Sequence, residues 1–172
     1  MDPEALTGKP FRGRFNGLGH TIIVNIQSDA VASGLFGYIY KGTITDLEVR
    51  GTVNGSGKYV GGIVGVNHGI VEGCSFIGDV TSTSSDGNAA TGGLIGWNGY
   101  DGKCYVMNSS HIGKVTANNG NVGGIVGLNE SFGDCYAEIN RCFHTNGDVD
   151  GGKYCGGIGC LLFGDLLLFR DS

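Results

Sequence analysis

Four histidines, six cysteines, sixteen carboxylates and a scatter of aromatic rings are the side chains of this 172-residue sequence with types suited to chemistry. His111 and His144 occupy equivalent positions in two sequence repeats, in the same column as Phe76. Two adjacent imidazoles are a start on a metal site, but no third ligand repeats beside them. His20 and His68 stand apart. Asp148 with Asp150, and Asp86 with Asp101, are carboxylate pairs of the kind that hold calcium on a turn. The Gly- and Asp-rich calcium nonapeptide is missing, so ordinary solvated loops are the better explanation of both pairs. Glycoside cleavage needs two acids across a groove. Glu72 with Asp101, or Glu138 with Asp134, would serve, and the sequence gives no reason to choose. A Gly-x-Ser-x-Gly elbow, a phosphate loop, His-Glu-x-x-His and Cys-x-x-Cys are all lacking. No catalytic, cofactor-binding or metal-ligating residue is assigned, and no cofactor is expected.

The aromatic residues are better candidates for binding. Tyr38 and Trp97 share a column with Val66 and Leu128. Tyr100, Tyr105, Phe132 and Tyr136 lie in two inserts, between Gly99 and Tyr105 and between Glu130 and Tyr136. Rings flanked by amides stack on sugars or anchor a protein partner. Trp97, Tyr100, Tyr105, Phe132 and Tyr136 are therefore the candidate ligand contacts, with core packing an equal alternative for Trp97.

What must position these residues is a repeat. Val60-Gly61-Gly62-Ile63-Val64-Gly65-Val66-Asn67 returns as Thr91 to Asn98 and as Val122 to Asn129, with looser copies at Ser33 to Tyr38 and Cys155 to Cys160. Counted on Gly34, Gly62, Gly93, Gly124 and Gly157, the steps are 28, 31, 31 and 33 residues. Between the copies, apolar residues alternate with polar ones and β-branched residues are common, as in Ile44 to Val53 and Val71 to Val80, which reads as strands. The segment from Phe11 to Ile26 reads as strand, Asn-Gly turn, strand. No window shows a helical period. Short strands returning every 30 or so residues predict an all-β solenoid of about five to six coils. At about 4.8 Å per coil the rod would be about 25 Å long. The 35 glycines, roughly threefold the usual share of about 7%, then serve corners and close approaches.

Stacking in register predicts columns. Asn67, Asn98 and Asn129 form a ladder of side-chain amides. Cys104 and Cys135 each lie eight residues beyond the last Gly of their repeats, which predicts neighbours within disulfide range and a bridge in an oxidising compartment. The same register sets Lys103 over Asp134, and aligns Thr52, Asp79, Lys114 and Asp148 along one edge. Cys74 and Cys142 share a column but are separated by Ser109. Cys155 falls where Val60, Thr91 and Val122 sit.

The size suits one domain, with residues 1–10 as an arm, 11–160 as the solenoid and 161–172 as a cap or truncated tail. Eleven basic against sixteen acidic residues give a net charge of -5, which makes nucleic acid an unsuitable partner. No apolar run reaches membrane-span length, and no secretion signal is visible at the start. That leaves a cytosolic protein or a domain of a longer exported one, and the repeat, which starts and stops in mid-pattern, favours the second.

The units from Gly61 to Cys74 and from Gly92 to Asn98 resemble the GLUG repeat of large bacterial surface and secreted proteins, including regions of IgA-cleaving peptidases and adhesin-like proteins. The stretch from Pro10 to Ile22 is similar to the segment that precedes such repeats. The resemblance implies a right-handed parallel β-helix-like solenoid on a bacterial cell surface, and it carries over no catalytic residue. The function expected is a non-enzymatic adhesin or stalk for a host protein or glycan, with end-to-end self-association of coils. The competing expectations are a polysaccharide-cleaving β-helix and a ligand-free spacer.

Overall fold

The computed structural model describes residues 8–100, 102–131 and 135–163, with backbone alone for 160–163. Every element among them is a strand. The first layer holds β1 (Arg14–Asn16), β2 (Thr21–Ser28) and β3 (Ala32–Ser33). Above it lie β4 (Phe36–Thr45), β5 (Glu48–Gly55) and β6 (Tyr59–Gly61), and then β7 (Val64–Glu72), β8 (Ser75–Ser82) and β9 (Ala90–Gly92). In the fourth layer the two long strands are each divided, giving β10 (Ile95–Gly99), β11 (Lys103–Met107), β12 (Ser110–Ile112), β13 (Val115–Ala117) and β14 (Asn121–Gly123). The fifth repeats that division as β15 (Val126–Glu130), β16 (Tyr136–Asn140), β17 (Phe143–Thr145), β18 (Val149–Gly151) and β19 (Tyr154–Gly156), and β20 (Gly159–Phe163) follows.

Each strand pairs in parallel with its counterpart one layer away, which makes three sheets. The first runs β1-β4-β7-β10-β15-β20, with β11 and β16 alongside. The second joins β2, β5 and β8 to β12, β13, β17 and β18. The third runs β3-β6-β9-β14-β19. β1 and β2, separated by the Asn16-Gly17 turn, therefore belong to different sheets. The column Arg14, Thr43, Ile70, Tyr105, Glu138 contains four steps. The solenoid thus makes about four turns, fewer than the five to six expected, because five copies of a motif enclose only four intervals.

The core lies between the inner faces. Ile44, Val71 and Val106 come from the first sheet, Val49, Phe76, Val80 and Val115 from the second, and Val60 and Val122 from the third; none of these is exposed to solvent. Strict alternation along a strand such as β2 puts every second residue inside. One glycine column shows why the sequence is so rich in Gly. Gly78 has φ +143°, and a Cβ there would run into the carbonyl oxygen of Gly51 in the layer below. Only a residue without Cβ accepts both conditions.

Candidate functional site

The Asn column is hydrogen-bonded from layer to layer. Asn67 Nδ2 donates to Asn98 Oδ1 at 2.8 Å, and Asn98 Nδ2 donates to Asn129 Oδ1 at 2.6 Å. Each amide also donates to backbone of its own strand region: Asn67 to Gly69 O, Asn98 to Cys104 O and Asn129 to Ala137 O. Asn67 Oδ1, at the start of the ladder, is buried without a partner, because its neighbour in the layer before is Ile39. These amides face inward, away from any ligand.

The outward side of the same strands carries the aromatic residues. Tyr38, Val66, Trp97 and Leu128 form the expected column. Facing it from the third sheet are Ala32, Tyr59 and Ala90, so the outer faces of two sheets meet in a re-entrant corner with its own small core. Tyr59 stacks on Trp97 with centroids 5.0 Å apart, and Tyr100 stands edge-on to Trp97 at 5.9 Å. His68 is stacked on Tyr100, and its Nδ1 is 2.9 Å from the Tyr38 hydroxyl. Burial pushes the Tyr59 phenol up to about 12, helped by Glu130 and Asp86, so it stays protonated. The indole N–H of Trp97 is buried with no hydrogen-bond partner. Cations edge the corner: Arg12 lies 4.4 Å and Lys41 5.0 Å from the Tyr40 ring, and Lys58 lies 5.5 Å from Tyr59.

Of the sequence candidates, Trp97 belongs to this corner as a packed residue, 8% exposed, and Tyr100 is half-buried against it. Tyr105 and Tyr136 form a separate edge-to-face pair at 6.0 Å on the outside of β11 and β16, with Tyr136 40% exposed. Phe132 lies outside the described residues. Tyr59 and His68 were missing from the candidates, although alternation from Val60 and Asn67 turns both outward. The signal was there, but a period within one strand does not say that another sheet stands opposite.

The cysteine insert differs from expectation. Lys103 pairs with Tyr136 and Cys104 with Ala137, not with Asp134 and Cys135. Asp134 is outside the described residues. The sulfurs of Cys104 and Cys135 are 3.8 Å apart, beyond the roughly 2.05 Å of a disulfide bond. The cause is two extra residues in the later insert, which carry Cys135 off its strand.

Cys74, Ser109 and Cys142 do stack: Cys74 donates its N–H to Ser109 Oγ, and the layers on either side pair at Ser75, Ser110 and Phe143. Burial pushes both thiols up to about 11. Iodoacetamide at pH 8 should therefore label exposed Cys155 long before Cys74, as peptide mass spectrometry will show; equal rates would contradict the buried column. Cys155 takes its place beside Val122 and is exposed. In the edge column Thr52 pairs with Asp79, whose carboxylate accepts the backbone N–H of Lys114 at 2.9 Å, so the acid caps backbone and does not bind the ammonium. Asp86 and Asp150 likewise accept local backbone N–H groups, from Asn88 and Gly151. Asp101 lies outside the described residues, and no cluster of three or more metal-ligating side chains occurs among the described ones.

Fully buried His111 and half-buried His144 are brought together at the edge of the core. Their ring planes are within 15° of parallel with centroids 5.0 Å apart and Nδ1 to Nδ1 2.9 Å, and the Phe76 ring lies 5.8 Å from His111 at 21°. Burial pushes His111 down to about 4, with the charge of His144 acting the same way, against the pull of the Gly78 and Gly124 carbonyls and Asp79. A histidine whose folded value lies below its unfolded value near 6.5 contributes stability above 6.5 that is lost as pH falls through 4. Urea unfolding should show a loss of about 3 kcal/mol between pH 6.5 and 4 that His111→Phe lacks. An unchanged acid limb in that variant would remove His111 as its cause.

No curated protein and no solved structure matches the chain. Residues 56–81, which contain β6, β7 and nearly all of β8 and so amount to almost one turn of the stack, match the family model described as the GLUG motif. The chain thus carries a GLUG motif at residues 56–81, within a parallel β-solenoid.

Proposed function

We propose that this region is a non-enzymatic module of a bacterial cell surface that binds a host glycan or protein through the outer face of the first sheet. The observation that carries the reading is the aromatic relief of that face: the closed corner of Tyr59, Trp97 and Tyr100, and the outward Tyr105 and Tyr136 pair farther along the same strands. Exposed ring faces suit the C–H faces of sugars or a protein hot spot. The GLUG motif and the solenoid support a surface repeat as the setting.

The test is a glycan array and a panel of host surface proteins, probed with the chain and with Tyr105→Ala combined with Tyr136→Ala. The double variant should lose at least about tenfold in affinity with its melting temperature unchanged. Binding that survives the loss of both rings would overturn the assignment of this face. Polysaccharide cleavage abolished by a single Asp or Glu substitution would replace the whole reading with an enzymatic one. A surface setting is also oxidising, so a bridge between Cys104 and Cys135 belongs to the same proposal. Non-reducing peptide mapping of protein taken from a cell envelope reads it, and two alkylated thiols there would delete that part.

A further inference from the structure

The four ring nitrogens of His111 and His144 leave little freedom in where protons sit. His111 Nε2 is 2.9 Å from the carbonyl oxygen of Gly78, and His144 Nε2 is 3.0 Å from that of Gly147. A carbonyl oxygen only accepts, so both Nε2 atoms must carry hydrogen. The two Nδ1 atoms face each other at 2.9 Å, and a hydrogen bond between two nitrogens needs one N–H and one lone pair. The total is three N–H groups. Two neutral imidazoles have two, and two imidazolium ions have four.

We infer that His111 and His144 together bind one proton in the folded protein, held on the line between their Nδ1 atoms, so that the core of the last described layer contains a single shared positive charge. With two N–H groups one contact becomes lone pair against lone pair, and with four the two Nδ1–H groups collide. The surroundings fit one charge. Phe76 covers His111 on the side of β8, and at the turns after β9 and β14 Gly93 and Gly124 approach with backbone only. The Gly124 carbonyl and the Asp79 carboxylate both favour charge on His111, while burial opposes a second proton there. Asp148 follows Gly147 in the turn after β17, and Lys114 occupies the equivalent edge position in the layer below. The thiols of Cys74 and Cys142, just before β8 and β17, are held protonated by burial and add no charge.

The pair titrates as a unit. Unfolded histidines release their protons near pH 6.5. A folded pair that keeps one proton above that pH gives stability fully present at 6.5 and lost as pH rises through the pair's own transition. Exclusion of the second proton produces the acid limb described above, so the pair's contribution to stability peaks near pH 6.5. Among the described residues β17 is an edge strand of its sheet.

The test is two-bond proton–nitrogen correlation of the whole chain labelled with ¹⁵N-histidine at pH 6.5, with His144→Phe and His111→Phe assigning the signals. Phenylalanine is native to this column at Phe76, so the ring shape is kept. Three protonated nitrogens should appear for the pair, with one proton bridging Nδ1 to Nδ1, and the urea midpoint should fall between pH 6.5 and 9 in the parent but not in His144→Phe. Two or four protonated nitrogens would overturn the inference, as would identical alkaline profiles in parent and variant. Should the variants fail to fold, the nitrogen count in the parent chain still decides.

Discussion

Gly93→Ala should cost the protein at least about 3 kcal/mol, enough to remove a large part of an ordinary domain's stability. A methyl on Gly93 would lie far inside van der Waals contact with the carbonyl oxygen of Gly124 and with the ring of His111. Neither can retreat. Gly124 is bound in the next layer, its N–H on Gly156 O, while the His111 ring is tied to Gly78 and His144. The same relation recurs along the stack, with Gly62 against Phe76 and Gly124 against His144, so in these three repeats the second Gly leaves room for a ring of the second sheet. The loss is read from urea unfolding midpoints. Gly87→Ala is the control, since nothing lies within 4 Å of a Cβ there and its change should stay within about 0.5 kcal/mol. His111→Ala in the Gly93→Ala background vacates the colliding ring and should recover part of the loss. Equal midpoints for Gly93→Ala and Gly87→Ala would show that the layers slide apart freely and that the close packing is not a constraint.

Asn98→Asp should be the second large effect, a loss of about 2–4 kcal/mol at neutral pH. The substitution keeps the acceptor for Asn67 but replaces both donors of the amide. It leaves Asn129 Oδ1 and the carbonyl of Cys104 facing a carboxylate oxygen in a position with no solvent exposure. Buried acceptors without donors, next to an uncompensated charge, are costly on both counts. Acidification should recover stability, because a protonated carboxyl regains one donor. Asn98→Leu separates ladder from volume: it resembles the ends of the column, Ile39 and Leu162, and loses the hydrogen bonds without adding charge. Chemical denaturation of the three proteins at pH 7 and pH 5 gives the comparison. An Asn98→Asp variant as stable as the parent would mean that the ladder is ornamental to the fold.

Both predictions rest on columns that can be read from sequence, and the failures of that reading are equally specific. Asn98 to Asn129 is a step of 31, yet His111 to His144 is a step of 33, so two residues enter between those landmarks. Spacing alone allows them before or after the cysteine. The matching local patterns around Cys104 and Cys135 favour after, which predicts stacked thiols. In the structure they enter before β16, as shown by the two amides that mark the register: Asn98 reaches Cys104 O, six residues on, while Asn129 reaches Ala137 O, eight on. A loop gains length at little cost, whereas a strand slipped by two residues would misplace Ile139 from beside Val106, so the packed strand keeps register and the loop absorbs the insertion.

What the sequence alone determined is everything that repeats: the strand period, the parallel stack, the inward amides, the ring column of Phe76, His111 and His144, and the glycines that make room for it. In-register stacking places like residues over like, so a one-dimensional period becomes a three-dimensional contact list. What only the tertiary structure decided is whatever depends on two different strands of one layer facing each other. Tyr59 meets Trp97 across a corner whose angle no period encodes, and the carbonyls that fix the protons of His111 and His144 belong to Gly78 and Gly147, whose direction follows from backbone bends outside the repeat count.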